Sequence, residues 1–347
     1  MGGRGAALFY SSEFGWMISL AAAAISFTLL LLLMPILERY ALAKPNARSS
    51  HKKPTPQGGG IAIIVATTMV VAAIALFFPD QVNDPLRLAV VFAASIVLAL
   101  VGVTDDVRPL EVLPRLLLQA IAVAIVLVAL PHELRVLPII PWWIERALMF
   151  VAVLWFVNLV NFMDGIDWMT VVESVPLTAG LAIFGLMGAL PHSATLVAFA
   201  LCGALIGFAP FNRPVARLFL GDVGSLPIGL LLGWLLILLA GAGHLAAAVL
   251  LPLYYLADAT ITLLCRLING ESVMQAHRSH FYQQAMDNGF SVYQIVGRVF
   301  AVNIVLAGSA AATVLNNSPI LQLTMLAVGC AFVGVLLWAF NYTYHRS

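Results

Sequence analysis

Four short stretches carry residues able to do chemistry. The densest is Asn158-Leu-Val-Asn161-Phe-Met-Asp164-Gly165-Ile166-Asp167, where amides and carboxylates interrupt an otherwise apolar chain every third residue. Steps of three leave successive side chains about 60° apart around a helix, so the spacing predicts one slowly winding polar stripe. Thr104-Asp105-Asp106 adds two adjacent carboxylates. On a helix they point about 100° apart, which lets one face a site while the other orients a basic side chain or water. Phe219-Leu220-Gly221-Asp222-Val223-Gly224-Ser225 sets a further Asp between glycines just before an apolar run. It reads as a loop that offers a carboxylate and a helix N-terminus to a metal and phosphate. His277-Arg278-Ser279-His280 lacks the Cys or HExxH partners of a zinc site and reads as a diphosphate clamp, with Arg266 adding to the field. Hard oxygen ligands of this kind suit Mg²⁺ or Mn²⁺, which bind through one or two carboxylates together with substrate phosphates.

A fifth stretch, Arg48-Ser-Ser-His51-Lys52-Lys53-Pro54-Thr55-Pro56-Gln57-Gly58-Gly59-Gly60, combines basic groups with a glycine run that opens a helix. Glycines there let backbone N–H groups approach an anion. Each stretch taken alone has a bland reading: a capped turn, a solvated helix end, a basic loop that only sets topology.

The elements that must position these residues are membrane helices. Of the 347 residues, 62% are hydrophobic and 10% charged, and the mean hydropathy is +1.01, whereas a globular chain is about 25% charged. The chain therefore reads as an all-α polytopic membrane protein, a single domain over residues 1–347. The apolar runs number about eleven, near 16–37, 61–78, 86–103, 114–130, 142–160, 170–190, 194–210, 226–242, 245–264, 292–314 and 320–340. The first is too long for a signal-peptide core. Cys202, Cys265 and Cys330 lie in or beside these runs without metal-ligand spacing and imply neither a disulfide framework nor zinc. Asp258 falls inside the ninth run, where an ionised Asp costs about 2.5–3.5 kcal/mol on insertion scales, so it is expected to face the bundle interior, with an arginine as one candidate partner.

If the first span runs inward, thirteen of the seventeen Lys and Arg residues fall on the side that follows it; Arg4, Arg87, Arg135 and Arg146 do not. Basic loops stay in the cytoplasm, which places the N-terminus outside and all five polar stretches on the cytoplasmic face.

The ordered set Asp105-Asp106, Asn158-x-x-Asn161-x-x-Asp164-Gly165-Ile166-Asp167, Gly221-Asp222-x-Gly224-Ser225 and His277-x-x-His280 resembles the polyprenyl-phosphate N-acetylaminosugar-1-phosphate transferases. The resemblance runs from the His51–Gly60 loop through the tenth apolar run. It implies a Mg²⁺-dependent enzyme of the bacterial inner membrane that moves a sugar 1-phosphate from a UDP-sugar to undecaprenyl phosphate and releases UMP. Nucleic acid is not among the expected partners, and the sequence leaves monomer and homodimer equally open. By the same resemblance Asp222 and Asp164 are the expected metal ligands, with Asn158, Asn161 and Asp167 binding beside them. Asp105 and Asp106 position the lipid phosphate, while Arg48, His51, Lys52, His277, Arg278 and His280 hold phosphates. The His277–Gln283 stretch looks like the branch that starts O-antigen or similar surface glycans, and it lacks the triple-histidine run of the phospho-MurNAc-pentapeptide transferases. Where the family usually continues Gly-Leu-Ala after the last Asp, this chain has Trp168-Met169-Thr170, a departure beside the sugar pocket. The competing class, an ion-coupled transporter, predicts polar groups near mid-membrane with access from both sides, whereas here they gather on one face.

Overall fold

The structure, a computed structural model, describes residues 12–43, 54–272 and 278–342. Arg48, His51, Lys52 and His277 lie outside these residues, so the described site contains none of them.

The described chain is helical apart from one two-residue hairpin pairing and a 3₁₀ turn at Pro79–Gln81. The helices are α1 (Ser12–Tyr40), α2 (Gly60–Phe77), α3 (Pro85–Val107), α4 (Val112–Val128), α5 (Trp142–Met163), α6 (Met169–Leu186) and α7 (His192–Phe208). They continue with α8 (Asp222–Gly241), α9 (Leu245–Leu250), α10 (Leu253–Ile268), α11 (Phe281–Asp287), α12 (Val292–Leu315) and α13 (Pro319–Asn341). Strands β1 (Leu42–Ala43) and β2 (Thr55–Pro56) pair antiparallel where the chain passes from α1 to α2. In a bilayer every backbone polar group must be satisfied within the segment, which is why apolar runs of this length become helices. Local signals set their ends. Asp84 accepts a hydrogen bond from the Arg87 N–H (3.0 Å) ahead of Pro85, Ser291 and Gln294 form a capping box on α12, and Pro319 occupies the first turn of α13.

Eight of the helices are long and apolar enough to cross a membrane, and α4 and α7 are shorter apolar helices. Each apolar run of the sequence corresponds to helix, with one difference. The ninth is broken into α9 and α10 at Leu251–Pro252, where proline lacks the N–H that an unbroken helix would need. Beyond the break, α10 carries Asp258 to the start of α11.

The bundle is organised around α8, whose most apolar 18-residue window is 94% buried, against 22% for the corresponding windows of α1 and α13. Its N-terminus is reached by α2 and α3 at distances only glycine allows. A Cβ on Gly60 would stand 2.1 Å from the Gly224 Cα, and one on Gly102 would stand 2.3 Å from the Asp222 carbonyl carbon. These contacts give the glycine run a different job from the one its sequence suggests. The Gly58 and Gly59 N–H groups donate to the Phe219 carbonyl (3.2 and 2.9 Å), and the Gly60 N–H donates to that of Leu220 (2.9 Å). The run is thus a backbone joint between α2 and the segment before α8, with its N–H groups already taken and none offered to an anion.

Overpacking a tight joint costs about 1–3 kcal/mol. Gly102→Ala and Gly60→Ala should each lower the thermal midpoint of the detergent-solubilised protein, on the order of 5 °C. Gly334→Ala, whose Cβ would meet nothing within 4 Å, should leave it unchanged or slightly raised. Equal midpoints for all three would refute the close-approach reading.

Candidate active site

Four of the five polar stretches contribute to a cavity of about 200 Å³ at one end of the bundle, lined by Gln57, Asp106, Asn161, Asp164, Gly165, Ile166, Asp167, Asn212, Phe219, Leu220, Gly221 and Asp222; the described part of the His277–His280 stretch does not. Residues more than 160 positions apart are joined there by main-chain geometry: Gln57 forms a parallel bridge with Phe219, and the Gln57 side-chain amide donates to the Asp106 carbonyl (2.9 Å).

Asp106 is the keystone of the cavity wall. Its carboxylate accepts from the Asp222 N–H (3.0 Å) and the Val223 N–H (3.2 Å), so a residue ending α3 caps the N-terminus of α8. An anion in that position is favoured by both the free N–H groups and the helix dipole. The arrangement also revises the reading of Gly221–Ser225 as a phosphate loop. Its first two helical N–H groups are held by Asp106, and those of Gly224 and Ser225 donate to the Gly221 carbonyl. What that end of α8 presents to the cavity is the Asp222 side chain.

Asp105 is not part of the cavity lining but stands against the Asp222 side chain, with Arg115 beside both. It accepts from the Leu110 N–H (2.6 Å) and from Arg115 Nη1 (2.9 Å), and the same guanidinium nitrogen stands 3.7 Å from Asp222 Oδ2. Arg115, on α4, is a site residue that the sequence reading counted only toward topology. Its one available signal was a charge one helical turn into an apolar run.

The expected polar stripe is realised only in its first half. Helix α5 ends at Met163, and Asp164 has left helical geometry (φ −82°, ψ 47°). Asn161 remains on the helix and donates from Nδ2 to Asp222 Oδ1 (2.8 Å) and Ser225 Oγ (2.9 Å), fixing the Asp222 carboxylate. Asn158, one turn earlier, points to α4, where it donates to Gln119 Oε1 (2.8 Å), and it does not line the cavity. Asp164 and Asp167 sit in the α5–α6 turn with separate partners and not on a common helix face. Asp164 accepts from the Thr170 hydroxyl (2.5 Å); buried Asp167 accepts from the Ala216 N–H (2.9 Å).

His280 and Arg278 are placed differently from a clamp over the cavity. His280 is buried and caps α11, with Nδ1 3.2 Å from Asp258 Oδ1. Asp258 also accepts from the Phe281 and Tyr282 N–H groups (3.1 and 3.2 Å) and from the Tyr254 hydroxyl (3.2 Å). The membrane-embedded carboxylate is therefore paired with a histidine and a helix N-terminus, where sequence suggested an arginine. Helix α11 in turn sets Tyr282, whose hydroxyl donates to the Phe162 carbonyl (3.1 Å) and occupies the space a side chain at Gly165 would need. Arg278 pairs with Asp287 (3.1 Å), and Arg266 pairs with Glu271 (2.8 Å).

Among the described residues no three His, Cys, Asp or Glu side chains form a ready-made cation cage. The donor set nevertheless fits a hard divalent cation that keeps water and borrows ligands from phosphate. Asp105, Asp106 and Asp167 are satisfied by N–H donors or by Arg115. Asp164 is supported mainly by the Thr170 hydroxyl, and Asp222 by the Asn161 amide, with Arg115 3.7 Å away and the Asp105 carboxyl against it. Burial, with the charges of Asp106 and Asp167 adding to it and the Thr170 hydroxyl opposing it, pushes Asp164 up to about 7. Such a raised carboxyl is where a cation would lower the free energy of the ionised form.

Fold and site together define a polytopic membrane protein whose carboxylate-lined cavity opens at one end of its helix bundle. The model of glycosyl transferase family 4 matches residues 88–240 of the chain. The chain is 26% identical over 309 residues to a probable undecaprenyl-phosphate N-acetylglucosaminyl 1-phosphate transferase of Bacillus subtilis, covering 82% of this chain and 84% of the relative. A decaprenyl-phosphate N-acetylglucosaminephosphotransferase of Mycolicibacterium smegmatis is 26% identical over 310 residues, 79% and 75% of the two chains. A phospho-N-acetylmuramoyl-pentapeptide-transferase of Streptococcus pneumoniae is 27% identical over 236 residues, 61% and 71%.

The raised Asp164 has a signed consequence. An acid at 3.8 in the unfolded chain and about 7 in the folded one favours folding least once ionised in both, so its cost grows as pH rises from about 4 to 7 and is constant above. Asp164→Asn should therefore melt like the parent near pH 4 and several degrees higher at pH 8 in metal-free detergent solution. A pH-independent difference would refute the assignment.

Proposed function

We propose that this protein transfers an N-acetylaminosugar 1-phosphate from a UDP-sugar to undecaprenyl phosphate, releasing UMP, in the bacterial inner membrane. The observation that carries this reading is the convergence of Asp106, Asn161, Asp164 and Asp222 on one polar cavity at the end of an apolar bundle. The similarity to two polyprenyl-phosphate acetylglucosamine-phosphate transferases over most of the chain supports it. The donor is UDP-GlcNAc, UDP-GalNAc or a 6-deoxy N-acetylhexosamine, and the product starts an O-antigen or another cell-surface glycan. The concentration of Lys and Arg in the loops on that side supports a cavity facing the cytoplasm, where nucleotide sugars are met.

Both reactants carry phosphate, so the first task is to offset repulsion between an anionic nucleophile and a diphosphate. A Mg²⁺ ion held by Asp222 and Asp164 would supply that charge and stabilise the oxygens of an in-line displacement. Asn161 holds the Asp222 carboxylate in one orientation through Oδ1, leaving Oδ2 toward Arg115. Asp106 has both carboxylate oxygens engaged by N–H groups. It positions Asp222 and takes no proton in this reading, since the acceptor phosphate is already ionised at neutral pH. Asp105 holds Arg115 beside the reacting charges.

The shorter coverage of the pentapeptide transferase and the absence of a triple-histidine run favour the surface-glycan branch. The purified protein, given undecaprenyl phosphate and Mg²⁺, should release UMP from at least one of UDP-GlcNAc, UDP-GalNAc and a UDP-linked 6-deoxy N-acetylhexosamine, and from UDP-MurNAc-pentapeptide not at all. Asp222→Asn and Asp164→Asn should each lower turnover by about 100-fold or more, the scale on which loss of electrostatic stabilisation is felt, and chelation should do the same to the parent. Near-normal turnover in both variants would sink the metal assignment; release that ignores added polyprenyl phosphate would sink the reaction.

A further inference from the structure

Trp168 occupies a backbone position that a tryptophan should avoid. Its φ of 63° lies in the left-handed region, and among the described residues every other residue with positive φ is glycine. A strained non-glycine residue persists only where its surroundings hold it, and here both non-helical hydrogen bonds of Trp168 run to one segment, residues 209–221. The Trp168 N–H donates to Asn212 Oδ1 (2.7 Å), and the indole Nε1–H donates to the Ala209 carbonyl (2.7 Å). Its neighbour Asp167 takes the Ala216 N–H. The indole meets Tyr293 of α12 edge-on at 6.2 Å, and the Tyr293 hydroxyl donates to the Pro214 carbonyl (2.7 Å) and accepts from Arg213 Nε (3.2 Å).

This segment is one wall of the cavity, contributing Asn212, Phe219, Leu220 and Gly221. The Asn212 amide is used at both ends, since its Nδ2 donates to the Leu218 carbonyl (3.0 Å). The indole itself is not part of the lining. Trp168 therefore fixes the distance between the wall and the carboxylate floor without touching what lies between them.

We infer that Trp168 is a donor-positioning residue: by pinning residues 209–219 against the α5–α6 turn it sets the width of the polar cavity, and so which UDP-sugar fits. This rests on the transferase reading above. The donor is the affected substrate because the cavity is small and polar, whereas a polyprenyl tail needs an extended apolar surface. Glycine at this position would accept the backbone freely and keep the N–H bond to Asn212, but would give up the indole bond to Ala209 and the ring contact with Tyr293.

Three variants test this: Trp168→Gly, Trp168→Phe, which keeps a ring and loses the Nε1–H donor, and Tyr293→Phe, which loses the hydroxyl tie to Pro214. Trp168→Gly should raise the donor KM about tenfold with kcat within about twofold and the acceptor KM unchanged. The ratio of kcat/KM between UDP-GlcNAc and UDP-GalNAc should move toward one, and the other two variants should fall between. Hydrogen exchange of residues 209–219 in the ligand-free protein should speed up in Trp168→Gly, a readout independent of any activity. Unchanged exchange, or faster exchange with unchanged discrimination, overturns the inference, as does a fall in kcat at constant donor KM. If the parent turns over no UDP-sugar, the transferase reading fails, while faster exchange in Trp168→Gly still upholds the pinning.

Discussion

The site depends on one charge-assisted contact, the Asp106 carboxylate on the first two N–H groups of α8. Helix α8 is the buried axis of the bundle, and its N-terminus would be an unsatisfied cluster of donors at the edge of a low-dielectric region. A carboxylate from α3 solves that problem and fixes the distance between Asp222 and the α3 terminus. Glycines at positions 60, 102 and 224 let the three helices close to the range at which this contact forms. Replacing Asp106 would thus disturb placement before it disturbed chemistry, so loss of activity on its replacement is weak grounds for a chemical role.

The same logic separates the carboxylates of the cavity into two kinds. Asp105, Asp106 and Asp167 hold structure: a guanidinium, a helix end and the Ala216 backbone. Asp164 and Asp222 are left with light support and face the open volume. A cluster with this imbalance is costly in the free protein and becomes favourable when positive charge arrives. The second layer repeats the pattern at a distance, since Asp258 holds His280 and the start of α11, and α11 places Tyr282 under Gly165.

Much of this was legible in the sequence. Hydropathy located the membrane segments, and basic loops gathered the polar stretches on one face. The structure brings the described parts of those stretches to one end of the bundle. The spacing of Asp105 and Asp106 foretold their division of labour. What sequence could not convey was how partners from distant segments consume hydrogen-bonding capacity. Gly58 to Gly60 and Gly221 to Ser225 look like anion cradles, but the N–H groups of residues 58–60 and 222–225 are spent on Phe219, Leu220, Asp106 and Gly221. A three-residue period cannot reveal that α5 stops at Met163, because the stop comes from the turn that Gly165 and Trp168 must make. Arg115 was invisible as a site residue for the same reason: its role lies in the packing of α4 beside α3.

The contact between Asp106 and α8 also spans 116 residues of chain. A ribosome that has delivered α3 to the membrane still has four helices to insert before the partner of that carboxylate exists. Throughout that interval Asp105 already has its partners, Leu110 and Arg115, five and ten residues on, whereas Asp106 has none of the α8 N–H groups that it caps in the finished bundle. Assembly of the cavity is consequently a late event in biogenesis. A chain halted before α8 would lack Asp222 and both N–H groups that hold Asp106, and so would hold no complete cavity.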